Sequence, residues 1–216
     1  MKINIIDGRK TDSFGDSTKI LVDIFRSTST MPVILEKGAQ QIIPVSSVKE
    51  ARALKSGNPE YVLVGERYGI KIPGFELNNS PSDVMEANLK GKTIIFTSTN
   101  GTLVLKKIVP TGKVYVSSFI NADATFQAVK NLDRVDIVVS SRPDGQADED
   151  FIYADYLSEL LSSGEASFED YADRIRKSKG SRRLKIMGYR KDIETCLMLN
   201  FSGRPTVFAN GIIIRE

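Results

Sequence analysis

Short apolar runs rich in β-branched residues alternate with helix-like stretches along this chain, and no other feature restricts its fold as much. Strands are expected over 2–6, 19–23, 41–45, 61–65, 93–97, 114–118 and 136–140, each bounded by Gly, Pro or polar residues. A last pair, 206–209 and 212–215, flanks Asn210-Gly211. Both positions of that dipeptide tolerate positive φ, so it marks a β-hairpin. Helices are expected over 28–37, 102–108, 122–131 and 149–162. Another opens at the capping-box spacing Ser47-Val48-Lys49-Glu50 and ends near Gly57. A further one runs from Ser167-Phe168-Glu169-Asp170 to about residue 177. Pro32 fits the first helix only within its first turn. This alternation predicts an α/β fold: a layered α/β/α arrangement with a mixed, largely parallel sheet and a C-terminal β-hairpin. The 216 residues suit a single domain over 1–216, or two tightly packed lobes, 1–140 and 141–216.

What the chain lacks narrows its chemistry. It has no histidine, which removes histidine metal sites, phosphohistidine intermediates and histidine general bases. Its only cysteine is Cys196, so no internal disulfide can form and a reducing cytoplasm is the expected setting. No apolar run approaches the roughly 18 residues of a membrane span, so no membrane partner is expected. The opening Met1-Lys2-Ile3-Asn4-Ile5-Ile6 reads as a strand, too short for a signal peptide's apolar region.

Ligands of open α/β sheets bind beyond the carboxyl ends of the strands, and the polar chemistry of this chain gathers there. Five strand-to-helix junctions stand out: 22–30, 65–69, 97–102, 117–121 and 144–150. In the first, Asp23 closes an apolar strand and Arg26 follows three residues later, a planar donor fork suited to phosphate or sulfonate oxygens. Glu66-Arg67 repeats the acid-then-base order. Ser98, Asn100, Gly101 and Thr102 sit where free amides and a helix dipole favour an anion, and Gly101 lets the backbone approach it. The plain alternative is that these Ser, Thr and Asn residues only cap helices. Glu149-Asp150 opens a helix, where acids suit the dipole, but the pair could also ligate Mg²⁺. Without histidine, an all-oxygen Mg²⁺ site is the metal site this chain could most readily build.

Several named phosphate chemistries are absent. Cys196 lacks an arginine six residues on, Gly91-Lys92-Thr93 lacks the upstream glycine of a P-loop, and no Gly-x-Gly-x-x-Gly occurs. Asp148-Glu149-Asp150 has the spacing of aspartyl-phosphate phosphatases, without the buried apolar strand before it. Nine of the 30 basic residues fall within 174–191, which contains no acid, so the rest of the chain carries a net −6 although the whole is +3. That segment could bind nucleic acid, steer a polyanionic substrate or form a solvated helix and loop.

As a set the junctions resemble the 2-phosphosulfolactate phosphatase family. The resemblance rests on Val22-Asp23-Ile24-Phe25-Arg26-Ser27-Thr28-Ser29-Thr30, and on Gly65-Glu66-Arg67-Tyr68-Gly69-Ile70-Lys71-Ile72-Pro73-Gly74-Phe75 with Asn79-Ser80-Pro81. Thr99-Asn100-Gly101-Thr102 and Ser118-Phe119-Ile120-Asn121-Ala122 follow in the family's order. The match is looser at Glu149-Asp150, Asp192-Ile193-Glu194-Thr195-Cys196-Leu197 and Asn210-Gly211. It implies a Mg²⁺-dependent phosphatase that converts 2-phosphosulfolactate to sulfolactate and phosphate in coenzyme M biosynthesis. It further implies Asp23, Arg26, Glu66 and Arg67 as catalytic residues. Asn79, Ser80, Ser98, Asn100, Gly101, Thr102, Ser118 and Asn121 would bind the anionic substrate, and Asp23, Glu149 and Asp150 the metal.

The route expected is direct attack by a metal-associated water, with a covalent intermediate on Asp23 or Ser98 as the alternative. Ser140-Ser141-Arg142 stands where the family usually has a Cys-Ala-Gly-like segment. Asp155 and Asn200 also depart from its pattern, which opens the way to a different small phosphorylated acid. Expected partners are a small phosphate ester and, for a homodimer, a second copy of the chain, with nucleic acid disfavoured.

Overall fold

In the computed structural model, which describes residues 1–143, 145 and 147–216, ten strands form one mixed, mostly parallel sheet. The strands are β1 (Lys2–Asp7), β2 (Thr18–Val22), β3 (Gln41–Pro44), β4 (Val62–Arg67), β5 (Ile70–Lys71), β6 (Thr93–Thr97), β7 (Val114–Ser117), β8 (Arg134–Val139), β9 (Thr206–Ala209) and β10 (Ile212–Arg215). Their order is β1-β8-β2-β7-β9-β10-β3-β6-β4-β5. The parallel strands β2, β6, β7 and β8 are buried almost throughout, as near-continuous apolar runs require when both faces are covered. The α/β class and the hairpin at Asn210-Gly211 are as expected, with φ of 52° and 86° at the two turn residues.

The hairpin's place could not be read from the sequence. It lies in the middle of the sheet, antiparallel to β7 on one side and to β3 on the other. The group β3-β6-β4 therefore runs opposite to β1-β8-β2-β7. In a flat sheet the carboxyl ends of β2 and β4 would be far apart. Strand twist of roughly 20–25° per step, over the six steps between them, accumulates to about 120–150° and turns the second group back toward the first.

The sheet curls around helix α1 (Ser27–Glu36), whose first nine residues are all buried. Met31, Val33, Ile34 and Leu35 pack against Leu21, Ile42, Val64, Ile94, Phe96, Val116, Val138 and Ile213, which face inward from seven strands. On the outside, α6 (Asp148–Ser163), α7 (Phe168–Arg176) and α8 (Lys179–Ile186) cover β2, β7 and β8, and α2 (Val48–Gly57) covers β3, β4 and β6. Helices α3 (Pro81–Glu86), α4 (Gly101–Ile108), α5 (Ala122–Val129) and α9 (Arg190–Cys196) complete the layers.

Two details differ from the sequence reading. Pro32 is the sixth residue of α1, not in its first turn, so the helix forgoes one backbone bond there. Full burial of the surrounding apolar side chains holds it in place. The basic segment is not one helix and a loop: Gly188 at φ 85° and the caps Ser178 and Tyr189 divide it among α7, α8 and α9. Among the described residues no helix is long and apolar enough to cross a membrane.

One buried carboxylate contributes to acid stability. Asp136 on β8 lies opposite Lys19 on β2 and accepts bonds from Ser17 (2.5 Å), Asn4 (2.6 Å) and Arg134 (3.2 Å). Burial alone would push its carboxyl up. The bonds from Ser17 and Asn4, with the Arg134 charge, overcome that and hold it below the usual range. A carboxylate depressed in the folded state contributes stability above its unfolded pKa of about 3.9 and loses it as pH falls through the folded value. Asp136→Asn should therefore cost about 2–3 kcal/mol at neutral pH. The gap in melting temperature from wild type should close as pH falls below about 4, as thermal melts across pH would measure.

Candidate active site

The loop after β2 is built by hydroxyls. Its backbone is buried, so each N–H and C=O needs a partner, and the run Ser27-Thr28-Ser29-Thr30 supplies them. Asp23 N–H donates to Thr28 Oγ1 (3.0 Å), Ser29 Oγ to the Ile24 carbonyl (2.9 Å) and Thr30 Oγ1 to the Arg26 carbonyl (2.9 Å). The Phe25–Arg26 peptide is cis. This framework presents Asp23 and Arg26 to a cavity of about 200 Å³. Its other walls are Glu66, Tyr68 and Gly69 at the end of β4, Asn79 before α3, Thr99 and Asn100 before α4, Arg142 and Pro143 after β8, and Arg183 and Leu184 on α8.

Asp23 is held from one side. Asn79 Nδ2 donates to Ser27 Oγ (3.3 Å), which donates to Asp23 Oδ2 (2.8 Å). Gly101 allows the first turn of α4 to press against this pair, since a Cβ there would meet Asp23 Oδ2 at 2.8 Å and Ser27 Oγ at 2.9 Å. Burial pushes the Asp23 carboxyl up, the Ser27 bond opposes that, and the Glu66 charge adds to it. Beneath it Asp150 Oδ1 accepts the Ile24 N–H (2.8 Å). Burial, then the Asp23 charge, push Asp150 well above the ordinary carboxylate range. Two buried carboxyls thus stand together at a cost, a pattern concentrated at functional sites.

Arg26 is equally fixed. Its side chain is 2% exposed, with Nη1 on Asp192 Oδ2 (2.6 Å) and Nη2 on the Gly69 carbonyl (2.8 Å). Its guanidinium lies 4.3 Å from the centre of the Tyr189 ring. Glu66 tightens the neighbouring turn, accepting from Thr99 N–H (2.5 Å), Thr99 Oγ1 (2.9 Å) and Gly69 N–H (2.6 Å).

The structure brings five of the residues singled out from the sequence to the cavity: Asp23, Arg26, Glu66, Asn79 and Asn100. The others stand behind it or elsewhere. Arg67 turns to the carbonyls of Glu66 (2.7 Å) and Ser46 (3.3 Å) and to Thr97 Oγ1 (2.9 Å). Ser98 and Thr102 cap α4 reciprocally: Thr102 N–H donates to Ser98 Oγ (3.1 Å) and Ser98 N–H to Thr102 Oγ1 (3.2 Å). Ser118 and Asn121 close a capping box in which Asn121 Oδ1 accepts Ser118 N–H (3.1 Å). Ser80 caps α3 and donates to Asp192 (2.7 Å). Glu149 is ion-paired with Arg142 and lies against Gly180, where a Cβ would overlap its carboxylate. Asp144 and Gln146, within the fifth junction, lie outside the described residues.

The sequence reading missed Asp192, Tyr189, Arg183 and Leu184, which arrive from the far end of the chain. Asp192 opens the 192–197 motif without any spacing cue, and Arg183 lies within the basic run. Cys196, buried beside Asp192, has its thiol pushed well up by burial, so it is no thiolate nucleophile.

Mg²⁺ prefers a few carboxylate oxygens plus waters and substrate phosphate. Among the described residues no three acidic or sulfur ligands converge on one point. Asp23, open to the cavity with Asp150 close behind, fits a Mg²⁺ held by one or two carboxylates. Glu149, turned to Arg142, retains a buried carboxylate oxygen, Oε2, without a partner among the described residues.

A model of the 2-phosphosulpholactate phosphatase family matches residues 3–204. A Thermoplasma acidophilum protein named probable 2-phosphosulfolactate phosphatase is 40% identical over 99% of this chain and 96% of its own. One of the same name from Thermoplasma volcanium is 41% identical over 99% of both chains. Another, from Carboxydothermus hydrogenoformans, is 37% identical over 93% of this chain and 90% of its own.

Proposed function

Since the chain belongs to the 2-phosphosulfolactate phosphatase family, a family of phosphoric monoester hydrolases, we propose that its cavity hydrolyses 2-phosphosulfolactate to sulfolactate and phosphate, with Mg²⁺, as a step of coenzyme M biosynthesis. The observation that carries this is the meeting of Asp23 with Arg26, Asn100, Arg142 and Arg183 around one small cavity, from positions up to 160 residues apart.

The chemistry demands such a site. Uncatalysed phosphate-monoester hydrolysis is slow enough that enzymes accelerate it by up to about 10²¹-fold, on the order of 29 kcal/mol. Orientation supplies about 7–11 kcal/mol of this, and fixed charges and donors must supply most of the rest. Arg26 grips the phosphoryl oxygens with the N–H groups left over from Asp192 and Gly69. The first turn of α4, brought close by Gly101, adds the positive end of its dipole. Asp23 orients the attacking water through the carboxylate that Ser27 holds. Ser98, committed to the α4 cap, does not face the ester. Mg²⁺, when bound at Asp23, neutralises phosphoryl charge and makes water more acidic. Arg142 and Arg183 line the same cavity and would meet the acid groups of the substrate. The basic segment, which carries Arg183 to the rim, steers the polyanion inward.

A panel of phosphate esters assayed with Mg²⁺ tests this. Turnover should be highest with 2-phosphosulfolactate, vanish with chelator and return with Mg²⁺. Undiminished turnover in excess chelator removes the metal, and preference for another phosphorylated acid removes the substrate.

A further inference from the structure

Arg26 is a buried cation whose position depends on the start of α9. Among the described residues, two of its five N–H groups are used, by Asp192 and by the Gly69 carbonyl, and the residue lines the cavity. Its flat face rests on Tyr189. Asp192 is itself immobile: its side chain is fully buried, and Oδ1 accepts from Ser80 Oγ (2.7 Å), Ser82 Oγ (2.6 Å) and Ser82 N–H (3.1 Å). Tyr189 OH accepts from Asn78 Nδ2 (2.8 Å). The short segment 78–82 thus fixes both groups that fix Arg26, and through Asn79 and Ser27 it also fixes Asp23. Such a cage suits catalysis, because an arginine free to rotate would lose the in-line geometry that orientation requires.

We propose that Asp192 and Tyr189 are positioning residues that hold the Arg26 guanidinium in its phosphate-binding orientation. The proposal rests on the phosphatase reading of Arg26. Neither residue lines the cavity, so both act through Arg26. Asp192 supplies the countercharge and one bond of the fork. Tyr189 supplies the plane on which the fork lies.

The test combines turnover, binding and chemical rescue. Asp192→Asn and Tyr189→Leu should each lower kcat by about 10²-fold, the scale of a 1 Å misplacement, while affinity for inorganic phosphate falls less than about tenfold. Tyr189 is half-buried, so its variant remains informative if Asp192→Asn does not fold. Free guanidinium should restore turnover to Arg26→Ala by about tenfold or more, because the cradle of Asp192, Gly69 carbonyl and Tyr189 remains. In Arg26→Ala/Asp192→Asn the rescue should disappear. Wild-type turnover in either single variant, no rescue of Arg26→Ala, or rescue that persists in the double variant would each overturn the proposal. Full turnover by Arg26→Ala alone would instead remove the reading of Arg26 on which it rests.

Discussion

Asp23→Asn is expected to abolish turnover and, in the same protein, to raise the melting temperature. Asp23 and Asp150 are both buried; burial pushes both carboxyls up, the Glu66 charge adds to this at Asp23, and the Asp23 charge adds to it at Asp150. A carboxyl raised in the folded state costs stability at every pH above its folded pKa. That cost shrinks as pH falls and is gone below the unfolded value of about 3.9. An asparagine keeps an oxygen to accept from Ser27 Oγ but carries no charge, so the repulsion ends. Gains from relieving such sites run to about 0.5–2 kcal/mol, at about 2–4 °C per kcal/mol for a chain of this size. Measured without added metal, the variant should melt higher than wild type at pH 7, and the difference should shrink toward pH 4. Adding Mg²⁺ should raise the wild-type melting point and leave the variant's almost unchanged, since only a bound ligand stabilises. A variant that melts lower, or retains turnover, would show that Asp23 is an ordinary buried carboxylate.

The elements were legible because each rests on a local signal. Period and β-branching marked nine of the ten strands within two residues or so, and Asn210-Gly211 marked the hairpin. The two-residue β5 and the six-residue α3 offer too little sequence for a periodic pattern. The position of the hairpin was invisible, because strand order is decided by which apolar faces meet around α1, a non-local property. The candidate site divided along the same line. Asp23, Arg26, Glu66, Asn79 and Asn100 lie at strand ends or just before helices at the cavity, where polar residues are conspicuous. Ser98, Thr102, Ser118 and Asn121 sit at equivalent junctions and look the same in sequence, yet their hydrogen-bonding capacity is spent on helix starts. Hydroxyl and amide side chains serve capping and anion binding with the same atoms, so only coordinates separate the two uses. Asp192 and Tyr189 carry no junction signal at all, because they serve Arg26 rather than the cavity.

Arg26→Ala carries the largest combined effect, and its two consequences separate. Turnover should fall by about 10³-fold or more, the scale of losing a cation that stabilises a transferring phosphoryl group. Stability should fall as well, since Asp192 would remain as a buried charge without its partner. Breaking such a pair from one side costs about 3–5 kcal/mol, which at 2–4 °C per kcal/mol is a drop of about 6–20 °C. The serines that still donate to Asp192 Oδ1 place the outcome toward the lower figure. The double variant Arg26→Ala/Asp192→Asn removes the stranded charge and should recover most of the lost melting temperature, because removing both partners costs less than removing one. Its turnover should stay at the level of Arg26→Ala. Arg26→Lys keeps the charge but cannot reach Asp192 and the Gly69 carbonyl with one planar fork, so it should fold well and still lose most turnover. Recovered stability together with recovered turnover in the double variant would mean that Arg26 serves the fold alone.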